Sequence, residues 1–340
     1  MIFFEEMPMY FIITIDVEED NWGDFENKNT SLLHINKLFK LQELFDRYRI
    51  KPTYLLTYPA ATDRNAISIL RRMIEDKRCE IGTHLHPFNT PPFEEEKNKY
   101  NSMLCNLPKD LQYKKIENLH ETIYKSFGME PVSFRSGRWA CDENVLENLS
   151  KLNYIVDSSV TPYMDWSSNH GPDYSRISTK VYKIRLNSSS DSYIMEVPPT
   201  IGFLQTGFDI KNTIFRIFFS RRIRKFEIHG LLDKIKGINK IWLSPEVTEW
   251  EKMVDLAKTM GKEGYEVLNM FFHSPSLMAG CTPFTKTDKE VEEFIHRIEK
   301  FLEYAVLNNL QSITLSEYAR LKKDETIPMT LLQEKFFPFD

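Results

Sequence analysis

Short apolar runs bounded by turn residues alternate with segments of helical periodicity along most of this 340-residue chain. Alternating strands and helices favour a parallel sheet, and about seven or eight such units would close into a barrel. We therefore predict an α/β fold, a deformed parallel (β/α) barrel of about seven strands. One helical periodicity is formed by Leu32, Ile35, Phe39, Leu44 and Tyr48. The predicted strands are residues 9–17, 52–58, 80–86, 132–137, 154–158, 241–245, 267–273 and 311–315.

The stretch from about residue 165 to 240 departs from this alternation. It contains a polar turn at residues 187–191 between the runs VYKIRL and SYIMEV, a pattern typical of a β-hairpin. We interpret the stretch as a hairpin and helical insertion within one domain that spans residues 1–323. Residues 324–340 are predicted to form a C-terminal tail.

Charge, cysteine usage and hydropathy limit the classes of function. A formal net charge of -5 offers no overall attraction for nucleic acid, so we expect no nucleic-acid partner. The four cysteines are scattered without a Cys-x-x-Cys pair, which indicates neither a disulfide framework nor a thiolate zinc site. The first residues lack a basic region and a cleavage site, and no run approaches the ~18 apolar residues of a spanning helix. These features predict a cytoplasmic protein.

Polar side chains lie at or near the carboxyl ends of five predicted strands. The carboxyl ends of the strands in a parallel barrel share one face, where catalytic groups gather, so these side chains could meet in one pocket. A single such residue is more often a helix cap, and only the coincidence of five indicates a catalytic site. The residues are Asp16, His84 with His86, Arg135, Asp157 and His273.

Two short motifs suggest a metal site. His84 and His86 are two positions apart on a strand, so both imidazoles point to one side and can bind one cation. The alternative is a pair of histidines that are hydrogen-bonded to backbone. Asp16 and Glu18 share one side of the first strand by the same period and offer one carboxylate for metal and one for base chemistry. Two histidines and a carboxylate form a catalytic zinc set.

Five motifs occur in a recognisable order, namely TIDVE, EIGTHLHP, SFRSGRWA, YIVDSS and NMFFHS. In order and spacing they resemble the successive motifs of the NodB-homology polysaccharide deacetylases, carbohydrate esterase family 4, over about residues 9–320. The resemblance implies a deformed (β/α) barrel and a divalent metal, expected to be zinc. It also implies a carbohydrate substrate from which an N-acetyl group is removed.

The resemblance further implies roles for the residues at the strand ends. Asp16 would be the general base, and Arg135 would pair with it to keep it ionised. Asp157 would orient that arginine. His273 would be the acid that protonates the leaving amine.

The metal ligands are implied less directly, because the first two motifs depart from the family pattern. The family has two adjacent aspartates in the first motif, whereas Val17 follows the single aspartate here, so the ligand role passes to Glu18. Glu19 and Asp20 remain rivals for that role. Three residues usually separate the two histidines of the second motif. Here only one does, so His86 is assigned as a replacement ligand beside His84.

The third motif lacks the usual proline and carries a second cation, Arg138. We predict that Trp22, Arg138 and Trp139 contact the substrate, with core packing as the alternative for the two tryptophans. Together the departures suggest a divergent subgroup, similar to deacetylase-like proteins of surface-polysaccharide gene clusters.

The predicted function is therefore metal-dependent removal of an N-acetyl group from a sugar or a surface-polysaccharide precursor. Two alternatives stay open, another amide hydrolase on the same scaffold and a catalytically inactive carbohydrate-binding barrel. Residues 212–226, NTIFRIFFSRRIRKF, carry five cations among seven large apolar residues and no acid. This pattern is typical of a helix that lies on a membrane and would reach a lipid-linked sugar. The alternative is a helix that packs on the barrel.

Overall fold

The computed structural model of the chain describes residues 9–21, 25–26, 30–186, 192–219 and 239–331. The strands in these ranges are β1 (Tyr10–Val17), β2 (Thr53–Leu56), β3 (Glu80–Leu85), β4 (Ser133–Ser136), β5 (Val156–Asp157), β6 (Tyr182–Arg185), β7 (Tyr193–Glu196), β8 (Ile201–Phe203), β9 (Lys240–Trp242), β10 (Val267–His273), β11 (Gln311–Ser312) and β12 (Met329–Leu331). The α-helices are α1 (Lys37–Arg47), α2 (Tyr58–Thr62), α3 (Arg64–Glu75), α4 (Lys109–Phe127), α5 (Glu143–Lys151), α6 (Phe208–Phe219), α7 (Trp250–Lys262), α8 (Asp288–Leu307) and α9 (Leu315–Leu321).

The central sheet has ten strands in the order β10-β1-β2-β3-β4-β5-β7-β6-β12, with β11 also paired to β1. All of its pairs are parallel except β6 with β7. The small antiparallel pair β8-β9 lies beside β10, because the Thr200 amide donates to the Asn269 carbonyl and the Phe271 amide to that of Leu243. The sheet thus curls into a deformed parallel (β/α) barrel. This confirms the fold predicted from the sequence.

The burial of β1 shows why the strands have continuous apolar runs. Seven of its eight residues are buried, as expected for a parallel strand that is covered on one side by helices and on the other by the barrel interior. Helix α1 packs through Leu38, Leu41 and Phe45 rather than through Phe39, which is 40% exposed. The predicted periodicity was wrong at Phe39 because the helix begins only after a 3-10 turn at Leu33–Asn36.

The predicted hairpin is confirmed as the antiparallel pair β6-β7, and its turn, residues 187–191, lies outside the described residues. Strand β7 also pairs with β5, so the hairpin extends the main sheet. The run 241–245 does not join that sheet. Its first residues end β9, which pairs with β8. In the segment predicted to be a tail, β12 pairs with β6, and residues 332–340 lie outside the described part.

Helix α6 contains the described part of the cationic segment 212–226. Asn212 is buried and donates to the Ser175 carbonyl, and the ring of Phe215 packs against Phe203. This part of the helix therefore packs on the barrel. Residues 220–226 lie outside the described range, and contact with a membrane stays a prediction. Among the described helices, none has the length and apolar character needed to cross a bilayer.

Candidate metal centre and active site

Strand register brings the predicted site residues to one end of the barrel. Asp16 on β1 lies opposite His273 on β10, and His84 on β3 lies opposite Arg135 on β4. Because neighbouring parallel strands end at the same edge, side chains distant in sequence meet there. A cavity of about 700 Å³ is lined by Asp16, His84, His86, Arg135 and His273, together with Glu18 and several aromatic residues, but not by Asp157.

Glu18, His84 and His86 form a compact cluster of buried donor atoms. The His84 Nε2 atom lies 2.6 Å from Glu18 Oε1 and 3.2 Å from His86 Nε2, and the distance from His86 Nε2 to Glu18 Oε1 is 3.3 Å. Ligands of a tetrahedral zinc ion with bonds of about 2.0 to 2.1 Å lie roughly 3.3 Å apart. The two longer separations match this value, so the three side chains fit a divalent cation.

The surroundings of the two imidazoles direct their Nε2 atoms towards a shared ligand. His84 Nδ1 lies 3.2 Å from the Arg135 carbonyl and can donate a proton there, so that Nε2, which lies 2.6 Å from Glu18 Oε1, could bind a cation in place of its proton. The His86 ring packs against Gly137, where an added Cβ would come within 2.4 Å of it. Glu18 Oε2 is buried with no hydrogen-bond partner among the described residues. A buried acceptor without a partner is costly, and a cation would satisfy it.

Electrostatics favour a charged Glu18. Burial opposes its ionisation, but the adjacent His86 and His84 outweigh this effect and hold the pKa of Glu18 well below its usual value. For His84, burial favours the neutral form, yet the carboxylates of Asp16 and Glu18 raise its pKa. The cluster thus combines an anionic carboxylate with two imidazoles, which is the donor set expected of a catalytic metal site.

The two rival carboxylates for the ligand role have other partners. Glu19 accepts hydrogen bonds from the Asn89 amide at 2.7 Å and from the Thr57 hydroxyl at 3.3 Å. The pKa of Glu19 is raised by burial and by the charge of Glu18. Asp20 is bound to His34 Nδ1 at 2.8 Å, and it also accepts from the Ser31 hydroxyl and the Leu33 amide. Among these three carboxylates, the structure brings Glu18 to both histidines.

Asp16 is paired with the fully buried Arg135. The guanidinium donates to Asp16 Oδ1 at 2.8 Å, to Thr14 Oγ1 at 2.7 Å, and to the carbonyl and hydroxyl of Ser158 at 3.0 and 2.9 Å. Asp16 Oδ2 lies 3.9 Å from His273 Nε2. The donor atoms of Asp16, Glu18 and His273 are also close enough for a metal, but the adjacent positive charge of Arg135 disfavours a cation there. The cluster with the two histidines is the better metal site.

Asp157 makes its described hydrogen bonds away from Arg135. Its Oδ1 accepts from the Ser159 hydroxyl at 2.6 Å, and its carboxyl interacts with the buried carboxyl of Glu196, its partner in strand register. Asp157 Oδ2 and Glu196 Oε2 are both buried and accept no hydrogen bond from a described donor. Burial raises the pKa of both groups, and the charge of Asp157 raises that of Glu196 further. The pair should therefore share a proton. Among the described residues, Arg135 is therefore oriented by hydrogen bonds to Ser158 rather than to Asp157, the residue predicted for this role.

We expect Glu196→Gln to raise stability at alkaline pH. The folded state holds the proton of the carboxyl pair more tightly than the unfolded chain does. The free energy of unfolding should therefore be largest below the ordinary carboxyl pKa and fall as pH rises through the raised folded pKa. A neutral amide can donate to Asp157 in place of that proton. Thermal unfolding between about pH 5 and 9 should show a smaller decline in melting temperature for the variant.

The same substitution at an exposed helix position, Glu251→Gln, controls for the loss of one negative charge. The control should follow the parent protein over the whole pH range. If Glu196→Gln and the parent decline in parallel, the two carboxyls do not share a proton.

His273 is held by a residue that the sequence reasoning missed, Glu246. One oxygen of the Glu246 carboxylate accepts from the His273 backbone amide at 3.1 Å, and the other lies 3.0 Å from His273 Nδ1. Burial lowers the pKa of His273, but Glu246 outweighs it and raises the value to about 9. His273 is therefore protonated at neutral pH, and its Nε2 faces the cavity. Glu246 directly follows the predicted strand 241–245. Its position as a polar residue at the carboxyl end of a strand is therefore the same signal that identified Asp16 and His273.

The predicted substrate contacts differ in their surroundings. Trp139 lines the cavity, and its ring centroid is 5.3 Å from the Arg135 guanidinium carbon. Arg138 also lines it and donates to the Ser102 hydroxyl at 3.1 Å. Arg138 and Trp139 have consecutive positive φ values of 57° and 61°, a conformation costly for side chains other than glycine. Trp22 lies outside the described residues.

A comparison of the sequence with protein-family models finds no match, and a comparison with curated proteins finds none either. Several solved structures are similar in fold. A protein of Mycobacterium smegmatis assigned to the polysaccharide deacetylases aligns with a TM-score of 0.58 and 14% identity, over 97% of this chain and 96% of that chain. At this level of identity the similarity shows the fold alone.

Other enzymes share the fold. Puue allantoinase aligns with a TM-score of 0.53 and 12% identity over 95% of this chain and 93% of its own. The 4-alpha-glucanotransferase of Thermococcus litoralis aligns with a TM-score of 0.55 and 14% identity over 95% of this chain and 42% of its own. Because these names describe different reactions, the fold does not specify the chemistry, which depends on the residues of the site.

Proposed function

We propose that this chain is a metal-dependent deacetylase that removes an N-acetyl group from a sugar or a surface-polysaccharide precursor, as a divergent relative of the NodB-homology family. One observation carries the proposal. A cluster of metal donors, a carboxylate paired with a buried arginine, and a histidine paired with a buried glutamate all line one cavity. The similarity in fold to a protein assigned to the polysaccharide deacetylases supports it.

Glu18, His84 and His86 would hold the cation, which we expect to be zinc because imidazole and carboxylate are typical ligands of catalytic zinc. A divalent cation held there would supply Lewis acidity, which activates a water molecule and polarises the acetyl carbonyl. The remaining chemistry falls to side chains of the chain itself.

Asp16 accepts a proton from the attacking water, whose oxygen bonds to the acetyl carbon. The hydrogen bond from Arg135 to Asp16 Oδ1 fixes the position of this carboxylate, while Oδ2 faces His273. His273 donates the proton on Nε2 to the sugar nitrogen as the carbon-nitrogen bond breaks. The products are acetate and a free amine, so the proton taken by one residue is balanced by the proton given by the other.

Two other functions use the same observations differently. The similarity in fold to an allantoinase favours, as a second candidate, a hydrolase of cyclic amides. A catalytically inactive carbohydrate-binding barrel is the third candidate, but a binding module needs neither a general base nor a general acid.

All four cysteines are free, which supports the proposed location in the cytoplasm.

We expect the purified protein to carry about one divalent cation per chain, and His84→Ala to lose most of it. Elemental analysis would measure the metal, and release of acetate from N-acetylated sugars would measure the activity. A matched control is His296→Ala, which removes an exposed histidine of α8. The control should keep both metal and activity.

A metal-free protein that still releases acetate, or a His84→Ala protein that keeps its metal, would contradict this site. Ring opening of cyclic amides without hydrolysis of N-acetylated sugars would select the second candidate. A protein that binds sugars but hydrolyses neither substrate class would select the third.

A further inference from the structure

We propose that Lys115 is a positioning residue for the metal centre, because its buried ammonium holds the turn that follows His86 and thereby fixes where the His86 imidazole points. This inference rests on the proposed function, because it takes Glu18, His84 and His86 to be the metal ligands. Lys115 belongs to none of the five motifs of the chain, and it does not line the catalytic cavity.

His86 lacks a support that His84 has. A histidine that binds a metal usually donates its second ring N-H to a partner, which fixes the direction of the ring. His84 has such a partner, because its Nδ1 lies 3.2 Å from the Arg135 carbonyl. His86 Nδ1 is buried and has no hydrogen-bond partner among the described residues. The direction of the His86 ring therefore depends on packing and on the path of the backbone.

Part of this packing comes from the turn that follows His86. Phe88 belongs to the 3-10 turn Pro87–Asn89, which begins directly after His86, and the two ring centroids are 4.8 Å apart. Asn89 of the same turn donates to Glu19 Oε1 at 2.7 Å, next in sequence to the proposed carboxylate ligand. A displacement of the turn would therefore disturb the packing of one ligand and the support of the loop that carries another.

The Lys115 side chain, on α4, is fully buried and binds this turn at both of its ends. Its Nζ atom donates to the carbonyls of Pro87, Thr90 and Pro92 at 2.9, 2.7 and 2.7 Å, and it lies 2.9 Å from Glu95 Oε1. A buried charge is costly unless it is paired and hydrogen-bonded, and these four oxygens meet that requirement. Burial lowers the pKa of Lys115, and the Glu95 carboxylate opposes this effect. Because two of the carbonyls flank the turn, the ammonium fixes the position of the turn relative to α4.

Lys115→Met on the full-length protein should weaken zinc binding by about 10- to 100-fold. Methionine fills a similar volume, but it leaves three carbonyls and a carboxylate without their shared donor, so the turn is no longer fixed. Competition with a chromophoric chelator would measure the zinc affinity, at a temperature well below the melting temperature of each variant. The melting temperature of the metal-free protein would be measured separately, because a purely structural lysine would change that temperature alone.

Two further variants test the same contact in different ways. Lys115→Ala leaves a space that the n-propylammonium ion matches in length and in N-H donors. Added n-propylammonium should restore most of the zinc affinity, whereas tetramethylammonium, which has the charge but no N-H donor, should not. Phe88→Ala changes a residue that is only partly buried, so it keeps the test decisive if the Lys115 variants do not fold. This variant should also weaken zinc binding, because it removes the packing of the turn on His86.

Lys114→Met is the matched control. Lys114 is the adjacent residue of α4 and pairs with Glu94 of the same loop at 3.0 Å, but both of these side chains are exposed. The control should bind zinc as tightly as the parent protein.

A Lys115→Met or Phe88→Ala protein that binds zinc as tightly as the parent would overturn the positioning role and leave the metal site intact. A zinc affinity of Lys115→Ala that n-propylammonium does not change would also overturn it. The proposed function fails in a different way. A parent protein that binds no zinc would overturn the metal site and this role with it. If the parent binds zinc and the variants weaken it as expected, but no acetate is released, the positioning role stands and the deacetylase assignment does not.

Discussion

Asp16→Asn is expected to keep its metal and to lose about 10² to 10⁴-fold in turnover. The amide has nearly the same shape, and its oxygen can still accept the hydrogen bond from Arg135, but it cannot accept a proton from water. Glu18→Gln should instead weaken metal binding, because a neutral amide lacks the charge that offsets the cation between two imidazoles. Added metal should therefore restore part of the activity of Glu18→Gln and none of that of Asp16→Asn.

Glu19→Gln is a matched control for this pair of variants. Glu19 is buried and adjacent in sequence, but its carboxylate is bound to Asn89 and Thr57 rather than to the histidines. The control should keep both metal and turnover. Bound metal and rate would be measured for all three variants with and without excess zinc. An Asp16→Asn protein that loses its metal while Glu18→Gln keeps it would reverse the two roles, and metal loss in Glu19→Gln would move the ligand to that residue.

Much of this arrangement could be predicted because it depends on strand direction. In a parallel barrel, a polar residue that ends a buried strand must lie at one common edge, whatever its distance in sequence. Asp16 and His273 are 257 positions apart, yet the parallel register of β1 and β10 places them side by side. The two-residue period of a strand likewise places His84 and His86 on one side.

Other features depend on contacts that no local pattern specifies. The pairing of Asp157 with Glu196 requires β7 to be the neighbour of β5, and this neighbour is reached only after the chain has formed β6. The periodicity of a hairpin indicates that its two strands pair with each other, but it does not indicate which of them joins the sheet. Trp166, which also lines the cavity, lies in a loop, where neither strand nor helix periodicity shows which way a side chain points.

His273→Ala should resemble Asp16→Asn in metal content but should differ from it in its dependence on the substrate. An amine that is expelled easily needs little protonation, so the loss should be greatest, about 10² to 10⁴-fold, for N-acetyl compounds with strongly basic leaving amines. Rates for a series of substrates with leaving amines of different basicity would measure this. A uniform loss across the series would contradict the assignment of His273 as the general acid.

Glu246→Gln tests the same acid through the residue that positions it. Because Glu246 raises the pKa of His273 to about 9, the parent should lose activity as the pH rises through that value and His273 is deprotonated. With a neutral amide at position 246, the pKa of His273 should fall towards its ordinary value of 6.5, so the alkaline loss of activity should begin at lower pH. A purely structural role would lower the rate equally at every pH.

Glu251→Gln, which removes the same charge at an exposed position, should leave the pH profile unchanged. An unchanged profile in Glu246→Gln would show that this carboxylate does not set the protonation of His273.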